Sequence, residues 1–148
     1  MNLEATTAED AAALAELHAS AFDDAWNAVD IAGLIGGAGA FGLAAREGGQ
    51  TAGFVLCRTI VDESEILTLA TAPAWRRRGV ARGLVAAVVE SARAQGAATL
   101  FLEVAEDNQP AIALYAGMGF ERIGHRARYY SRPRGPIGAL VMRRDLNR

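Results

Sequence analysis

The chain has 148 residues, of which 51% are hydrophobic and 22% charged, a balance that suits one globular domain over residues 1–148 and excludes a disordered or fibrous chain. The net charge of −2 hides an asymmetry, because all 15 basic residues are arginines and none precedes Arg46, whereas residues 1–45 carry seven carboxylates. Such asymmetry suggests two partners of opposite charge, unless a bias from lysine to arginine on a solvated surface accounts for it.

Several classes of protein are excluded by simple features. The longest uncharged stretch, residues 31–45, is glycine-rich and shorter than the roughly 20 apolar residues that a membrane span needs. Acids stand near the N-terminus where a secretory signal would carry positive charge. Cys57 is alone, and no Cys/His cluster has metal-ligand spacing. We therefore expect a cytoplasmic protein without a metal, a membrane contact or direct nucleic-acid binding.

The first half of the chain predicts two helices followed by three strands. Thr6 or Thr7 can cap the first helix, with Glu9 nearby, and its apolar residues recur at spacings of three and four. A second, weaker helix is predicted over 25–34. Short β-rich runs separated by tight turns then predict an antiparallel meander, with strands over 41–46, 51–61 and 65–71.

The second half predicts two further helices and three strands. In chain order these are a helix over 79–94, a strand over 99–104, a helix over 108–117, and strands near 120–126 and 139–143. Residues 37–42 fit the G-x-G-x-x-G pattern of dinucleotide-binding proteins, but that fingerprint must follow a strand and open a helix. Here it closes a helix and leads into a strand, so we reject it as a cofactor site.

The most informative stretch is the loop over residues 76–81 (RRRGVA), which follows a strand and opens an amphipathic helix. The first N–H groups of a helix have no intrahelical partner, and the helix dipole places partial positive charge there. Small residues at Gly79 and Ala81 leave these amides open, and the arginines add bidentate donors. The loop predicts a phosphate site, although an arginine-rich, solvated helix start is the alternative.

This loop resembles the Q/R-x-x-G-x-G/A motif with which the GCN5-related N-acetyltransferases hold the pyrophosphate of acetyl-CoA. Residues 101–104 (FLEV), Asn108 and 113–120 (ALYAGMGF) are similar to a block of the bacterial ribosomal-protein N-terminal-alanine acetyltransferases, as are residues 126–130 (RARYY). The resemblance implies an α/β (α+β) fold: a mixed, mostly antiparallel sheet of about seven strands, four flanking helices, and a central parallel pair that splays apart.

The resemblance also implies roles for individual residues. Leu69 and Thr71 would offer backbone groups to the acetyl and pantetheine portion, Asn108 would contact the pantetheine arm, and Glu103 would be the general base. Tyr115 would lie near the sulfur. The pyrophosphate would be held by Arg76, Arg77, Arg78, Gly79, Val80, Ala81 and Arg82. The two acidic helices of residues 1–45 would form a wall of the acceptor side.

Each role has an alternative. Glu65 is the rival base, Tyr115 lies at the helical spacing of a core aromatic, and Asn108 can be only a helix cap. Tyr129 and Tyr130 either shape a peptide groove or pack on the sheet. His18 and His125 have no visible partners and are predicted to be structural or surface residues.

The predicted reaction is acetyl transfer from acetyl-CoA to a protein N-terminal α-amine, with the N-terminal alanine of a small-subunit ribosomal protein as the candidate acceptor. Residues 131–138 lack the acids that usually precede the last strand of this family, and Gly138 occupies one of their places. Transfer to a small-molecule amine is therefore the alternative. A hypothesis of another class is a non-catalytic acetyl-CoA-binding module.

Overall fold

The computed structural model describes residues 1–147 and contains seven strands and four helices over that range. The strands are β1 (Asn2–Ala5), β2 (Ala40–Glu47), β3 (Gln50–Ile60), β4 (Glu63–Thr71), β5 (Thr99–Ala105), β6 (Glu121–Tyr130) and β7 (Ile137–Asp145). The helices are α1 (Ala11–Ala21), α2 (Ala28–Ile35), α3 (Val80–Ala94) and α4 (Gln109–Gly117).

All seven strands form one sheet in the order β1-β2-β3-β4-β5-β7-β6. Every neighbouring pair is antiparallel except β4 and β5, which are parallel. The predicted mixed sheet with one central parallel pair is confirmed. Strand β1 was not predicted individually: its four residues, NLEA, alternate polar and apolar side chains, but a run of four is at the lower limit of length for a strand signal.

Two apolar cores pack on the two faces of the sheet. On one face, α3 buries residues such as Leu84, Val85 and Val88 completely, together with Leu100 and Leu102 of β5. Full burial of a side chain of this size contributes about 1.5–3 kcal/mol. On the other face, α1 and α2 pack against β3 and β4, with core residues Leu14, Ile31, Phe54, Leu56 and Ala70.

The close approach of α3 to the sheet depends on Gly53 in β3. A Cβ atom at this position would lie 2.8 Å from the carbonyl oxygen of Ala70 and 2.9 Å from Cγ1 of Val80, the first residue of α3. Any side chain here would therefore push the start of α3 away from β4.

Two helix starts differ in detail from the prediction. A short 3-10 helix, Ala8–Asp10, precedes α1, and its N-cap is Thr7, one of the two predicted caps. The acid that completes this cap is Asp10 rather than Glu9, because Asp10 Oδ2 accepts a hydrogen bond from the N–H of Thr7 at 2.8 Å. Helix α2 begins at Ala28, not at residue 25, because Asn27 is its cap and Asn27 Oδ1 accepts from the N–H of Asp30 at 2.8 Å.

Candidate active site

A gap opens in the middle of the sheet where β4 and β5 part. These strands pair over four positions, the last being Ile66 with Leu102, although both strands continue beyond it. The parting coincides with a bulge: Leu56 pairs with Thr68, and the next residue of β3 pairs with Ile66, so Leu67 is an extra residue in β4. A bulge of this kind bends its strand and increases the local twist.

The bulge leaves the backbone of two predicted site residues directed into the gap. The N–H of Ala72 donates to the carbonyl of Ala52 at 2.8 Å, and hydrogen-bonded and non-hydrogen-bonded pairs alternate along an antiparallel ladder. Leu69 and Thr71 therefore occupy non-hydrogen-bonded positions opposite β3. Their N–H and C=O groups point away from β3, towards the side that β5 has left.

The arginine-rich loop lies directly after β4 and ends at the N-terminus of α3. Gly79 is the cap of α3 with φ 79°, a left-handed conformation that glycine adopts without strain, and Arg77 is also left-handed with φ 62°. The first intrahelical bond of α3 is from the N–H of Gly83 to the carbonyl of Gly79 at 3.0 Å. Hence the amides before it face outwards beside the exposed Arg76, Arg78 and Arg82, as an anion site requires. The amides concerned include those of Val80, Ala81 and Arg82.

Two carboxylates lie side by side on the face of the sheet opposite to α3. Leu102 and Val104 of β5 point into the α3 core, so Glu103 between them points to the other face, as does Glu65 of β4. Nη1 of Arg126 donates to both oxygens of Glu103, at 2.8 and 3.1 Å.

The second carboxylate has a looser partner. Glu65 Oε2 lies 3.8 Å from Nη2 of Arg58, its partner across the β3–β4 ladder. Burial raises the pKa of Glu65, the neighbouring Glu103 raises it further, and Arg58 and Arg126 lower it. The two candidate bases that the sequence left open are therefore neighbours that influence each other.

Tyr115 lies on the opposite side of β5, in the α3 core. Tyr115 is only 6% exposed, and its ring makes an edge contact with the ring of Phe120 at a centroid distance of 5.6 Å. Burial raises the pKa of Tyr115 well above its usual value near 10, and the nearby Tyr130 raises it further. The phenol is thus a proton donor over the whole physiological pH range.

The aromatic pair at the end of β6 connects these groups. Burial raises the pKa of Tyr130 to about 12, with smaller upward contributions from the nearby Tyr129 and Glu103. Tyr130 therefore interacts electrostatically with both Glu103 and Tyr115. Tyr129 lies at the surface, with its ring 5.0 Å from that of Tyr130.

Asn108 is exposed and caps α4, where its Oδ1 accepts a hydrogen bond from the N–H of Ala111 at 3.3 Å. The sequence offered two roles for Asn108, a helix cap and a ligand contact, and the structure shows the cap. The backbone N–H of Asn108 donates a hydrogen bond to the carbonyl of Ala105 at 2.9 Å, which fixes Asn108 next to the end of β5.

The acids after α1 contact the loop between β6 and β7. Asp24 Oδ2 accepts from the N–H of Ser131 at 3.0 Å. Nε of Arg132 lies 3.1 Å from Asp107 Oδ2 and 3.8 Å from Asp23 Oδ2. The acidic wall expected on the acceptor side is therefore partly neutralised by the chain's own arginine.

Both histidines have partners that the sequence did not reveal. His18 is buried, and its ring stacks on those of Phe22 and Trp26. Its Nε2 lies 3.1 Å from Thr68 Oγ1, and its Nδ1 accepts a hydrogen bond from the backbone N–H of Trp26 at 3.1 Å. Burial lowers the pKa of His18.

His125 of β6 belongs to a separate polar cluster beside the first residues of β7. Its Nε2 lies 2.8 Å from Glu106 Oε2, and Glu106 Oε1 accepts from the N–H of Gly138 at 3.1 Å. A Cβ atom at Gly138 would collide with the His125 ring. Gly138, which departs from the family pattern, is therefore required by this cluster. The carboxylate of the cluster comes from Glu106, the residue that directly follows β5.

Other predicted features can be placed briefly. Residues 37–42 run from the end of α2 into β2, so the G-x-G-x-x-G pattern does not follow a strand. Cys57 is buried in the core. Within residues 1–147, no helix is long and apolar enough to cross a membrane, and no group of three or more His, Cys, Asp or Glu residues is arranged to hold a metal ion.

Known proteins are similar to this chain in both sequence and fold. A family model described as the acetyltransferase (GNAT) family matches residues 8–120. The chain is 36% identical over 151 residues to the N-alpha-acetyltransferase RimI of Mycobacterium tuberculosis, a match that spans 98% of this chain and 92% of that protein. A shorter match, 47% identical over 83 residues, covers 56% of this chain but only 22% of an uncharacterised protein of Mycobacterium leprae.

A solved structure agrees closely with this arrangement of strands and helices. The crystal structure of the ribosomal-protein-S18-alanine N-acetyltransferase from Escherichia coli superposes with a TM-score of 0.93 at 26% identity, covering 98% of this chain and 93% of that one.

Proposed function

The chain belongs to the acetyltransferase (GNAT) family of N-acetyltransferases, and from that premise we propose that it transfers the acetyl group of acetyl-CoA to the N-terminal α-amine of a protein. The first candidate acceptor is the N-terminal alanine of ribosomal protein S18, the substrate named for the E. coli enzyme of the same fold. The similarity to RimI over almost the whole chain supports an α-amine acceptor. We further propose that residues 1–148 act as one catalytic domain.

The observation that carries the proposal is that Glu103 and Tyr115 lie on opposite sides of β5, and that Glu103 directly follows Leu102, the last residue of β5 that pairs with β4 before the gap. A transfer reaction needs a proton acceptor on the side of the amine and a proton donor on the side of the leaving thiolate. The gap is the place where two substrates arriving from opposite faces can meet.

The residues around α3 suit the co-substrate. The open amides at the start of α3 and the side chains of Arg76, Arg77, Arg78 and Arg82 would hold the pyrophosphate of acetyl-CoA, with Gly79 keeping the approach free. The backbone groups of Leu69 and Thr71 would bind the acetyl and pantetheine portion, and Asn108 would contact the pantetheine arm. Acetyl-CoA supplies the thioester that is attacked, and no other co-substrate is needed.

In the proposed reaction the amine nitrogen forms a bond to the thioester carbon, and the C–S bond then breaks. Glu103, directly or through one water, accepts the proton that the amine loses. Tyr115 donates its proton to the departing thiolate, whose parent thiol titrates near 8.5. Glu103 then releases the amine's proton to solvent, and the Tyr115 phenolate regains a proton from solvent. A backbone N–H of Leu69 or Thr71 stabilises the oxyanion of the tetrahedral intermediate.

An α-amine is the proposed acceptor because its deprotonation near neutral pH demands little of the catalytic base. An α-amino group has a pKa of roughly 7.7–8.0, so deprotonation at pH 7 costs about 1 kcal/mol, whereas a lysine amine near 10.4 costs about 4.6 kcal/mol. A single carboxylate is sufficient for the first and poorly matched to the second.

The sharpest test is mass spectrometry of a peptide with the S18 N-terminus after incubation with the enzyme and acetyl-CoA. One added acetyl group on the α-amine is expected, and the same peptide with a blocked N-terminus but a free internal lysine is the control. Glu103→Gln and Glu65→Gln are compared to identify the base. An unmodified N-terminus at high enzyme concentration would refute the acceptor assignment.

A small-molecule amine is the second candidate acceptor, and one contact favours it. Arg132 lies against Asp23 and Asp107 and offsets part of their negative charge, which weakens their attraction for a cationic peptide. A panel of free amines assayed beside capped peptides separates the two candidates, because an enzyme for small molecules would leave every peptide unmodified. A non-catalytic binding module would modify neither.

A further inference from the structure

Arg126 has an arrangement that none of the roles above explains. It lies on β6, at the edge of the sheet, and reaches across to Glu103 of β5, which it contacts through both carboxylate oxygens. Its guanidinium carbon also lies 4.0 Å from the centre of the Tyr129 ring, a distance at which a cation is attracted to the aromatic face. The side chain is therefore fixed from two sides although it is half exposed.

The contact with Tyr129 depends on an irregularity in β6. Residues three apart in a regular strand point to opposite faces of the sheet. The register of β6 against β7 shifts between Arg126 and Tyr130, and Arg128 adopts a left-handed conformation with φ 56°. This local distortion brings the Tyr129 ring to the same side as the Arg126 guanidinium.

The charges around Glu103 show what Arg126 adds. Glu65 on β4 interacts electrostatically with Glu103, and each carboxylate has one arginine, Arg58 for Glu65 and Arg126 for Glu103. Among the residues that the structure describes, Tyr129 and Tyr130 of β6 also interact with this cluster. Two carboxylates and two guanidinium groups sum to zero, whereas loss of Arg126 would leave a net negative charge.

We propose that Arg126 is a positioning residue for acetyl transfer: seated on Tyr129, it directs the Glu103 carboxylate and offsets the second negative charge beside the gap. This inference rests on the proposed function. A neutral cluster allows the bound acceptor to stay in its uncharged, nucleophilic form. A net negative cluster would stabilise the ammonium ion, which has no lone pair with which to attack.

The charge balance can be measured without any acceptor. In protein labelled with ¹³C at the glutamate carboxyl groups, NMR follows the titration of Glu65, assigned by its loss in Glu65→Gln. Because Arg126 lowers the pKa of Glu65, Arg126→Gln should raise it and Arg126→Lys should restore it towards the wild-type value. Arg128→Gln, which removes an exposed arginine from the same strand, is the matched control. Identical Glu65 titrations in all four proteins would overturn the proposal.

Kinetics test the positioning role. Misplacing a catalytic group by about 1 Å can cost about 100-fold in rate, so Arg126→Gln should lose about 10- to 100-fold in kcat with little change in KM for acetyl-CoA. Tyr129→Phe should keep the rate because it keeps the aromatic face, and Tyr129→Leu should lose part of it. An equal loss in Arg128→Gln, or a change confined to KM for acetyl-CoA, would contradict the inference. If the wild-type protein turns over no amine at all, the proposed function fails, and the Glu65 titration still decides the role of Arg126.

Discussion

Replacing Tyr115 by phenylalanine separates its proposed role as proton donor from the alternative that it is only a core aromatic. The substitution removes one oxygen and keeps a ring that is 6% exposed and in edge contact with Phe120. Fold stability should therefore change by no more than about 1–1.5 kcal/mol, the usual contribution of one hydrogen bond. Tyr115→Ala, by comparison, removes the whole buried ring and should cost about 3–5 kcal/mol.

The catalytic effect should be much larger than the effect on stability. General acid catalysis contributes typically about 10²- to 10⁴-fold, which corresponds to about 2.7–5.4 kcal/mol in the barrier. Tyr115→Phe should therefore lower kcat by at least about 100-fold and leave KM for acetyl-CoA nearly unchanged. Because burial raises the pKa of Tyr115, the wild-type enzyme should show no alkaline loss of activity from this phenol below about pH 10.

The assay is the release of free CoA thiol, followed spectrophotometrically under saturating acetyl-CoA, together with thermal unfolding of each variant. The exposed Tyr129 provides the matched control, since Tyr129→Phe removes the same oxygen from a ring outside the core. If Tyr115→Phe keeps its kcat within about twofold while Tyr115→Ala unfolds, the residue is a core aromatic and the proton donor must be another group.

Three further changes test other parts of the site. Gly79→Ala places a side chain at φ 79°, which costs about 1–2 kcal/mol, and should raise KM for acetyl-CoA, whereas Gly83→Ala in the same helix has open space around it and should stabilise the protein by up to about 1 kcal/mol in thermal unfolding. Asn108→Ala should cost about 0.5–2 kcal/mol through the lost cap, and Asn108→Ser should recover the stability; a KM for acetyl-CoA that rises in both variants would reveal a ligand contact as well. Burial lowers the pKa of His18, so the unfolded chain binds this proton more readily, and stability should fall as the pH drops below about 6.5 with a slope of at most about 1.4 kcal/mol per pH unit. Denaturant titrations between pH 5 and 8 should lose that slope in His18→Gln, and an unchanged slope would contradict this account.

The sequence predicted those elements whose signal is local. Helix α3 was located to within one residue because its apolar spacing is regular and glycine stands at each end. The parting of β4 and β5 was expected from the family resemblance, but the bulge at Leu67 that coincides with it was not, since the bulge is a property of the pairing with β3. Boundaries were least accurate in β6, where the structure continues to Tyr130 and the prediction stopped at residue 126.

The contacts that the sequence could not predict join residues far apart in the chain. Arg126 and Glu103 are 23 positions apart, and Ser131 and Asp24 are 107 apart. Nothing in the local pattern of either segment indicates such a partner. The partners of His18, although not its structural role, were missed for the same reason: its hydrogen bond to Thr68 forms only when α1 packs on β4.

The extra residue in β4 makes the site depend on the length of a strand rather than on the identity of a side chain. Successive side chains of a strand alternate between faces, and an extra residue that pairs with nothing lets the strand bend without moving its paired residues to the other face. Deleting Leu67 would leave Cys57 opposite Ile66 and Leu56 opposite Thr68 as consecutive pairs, so Thr68 and Ala70 would keep their places on the α1 face. Substitutions at Leu67 keep the extra residue, whereas its deletion would remove the bend and the added twist that coincide with the parting of β4 and β5.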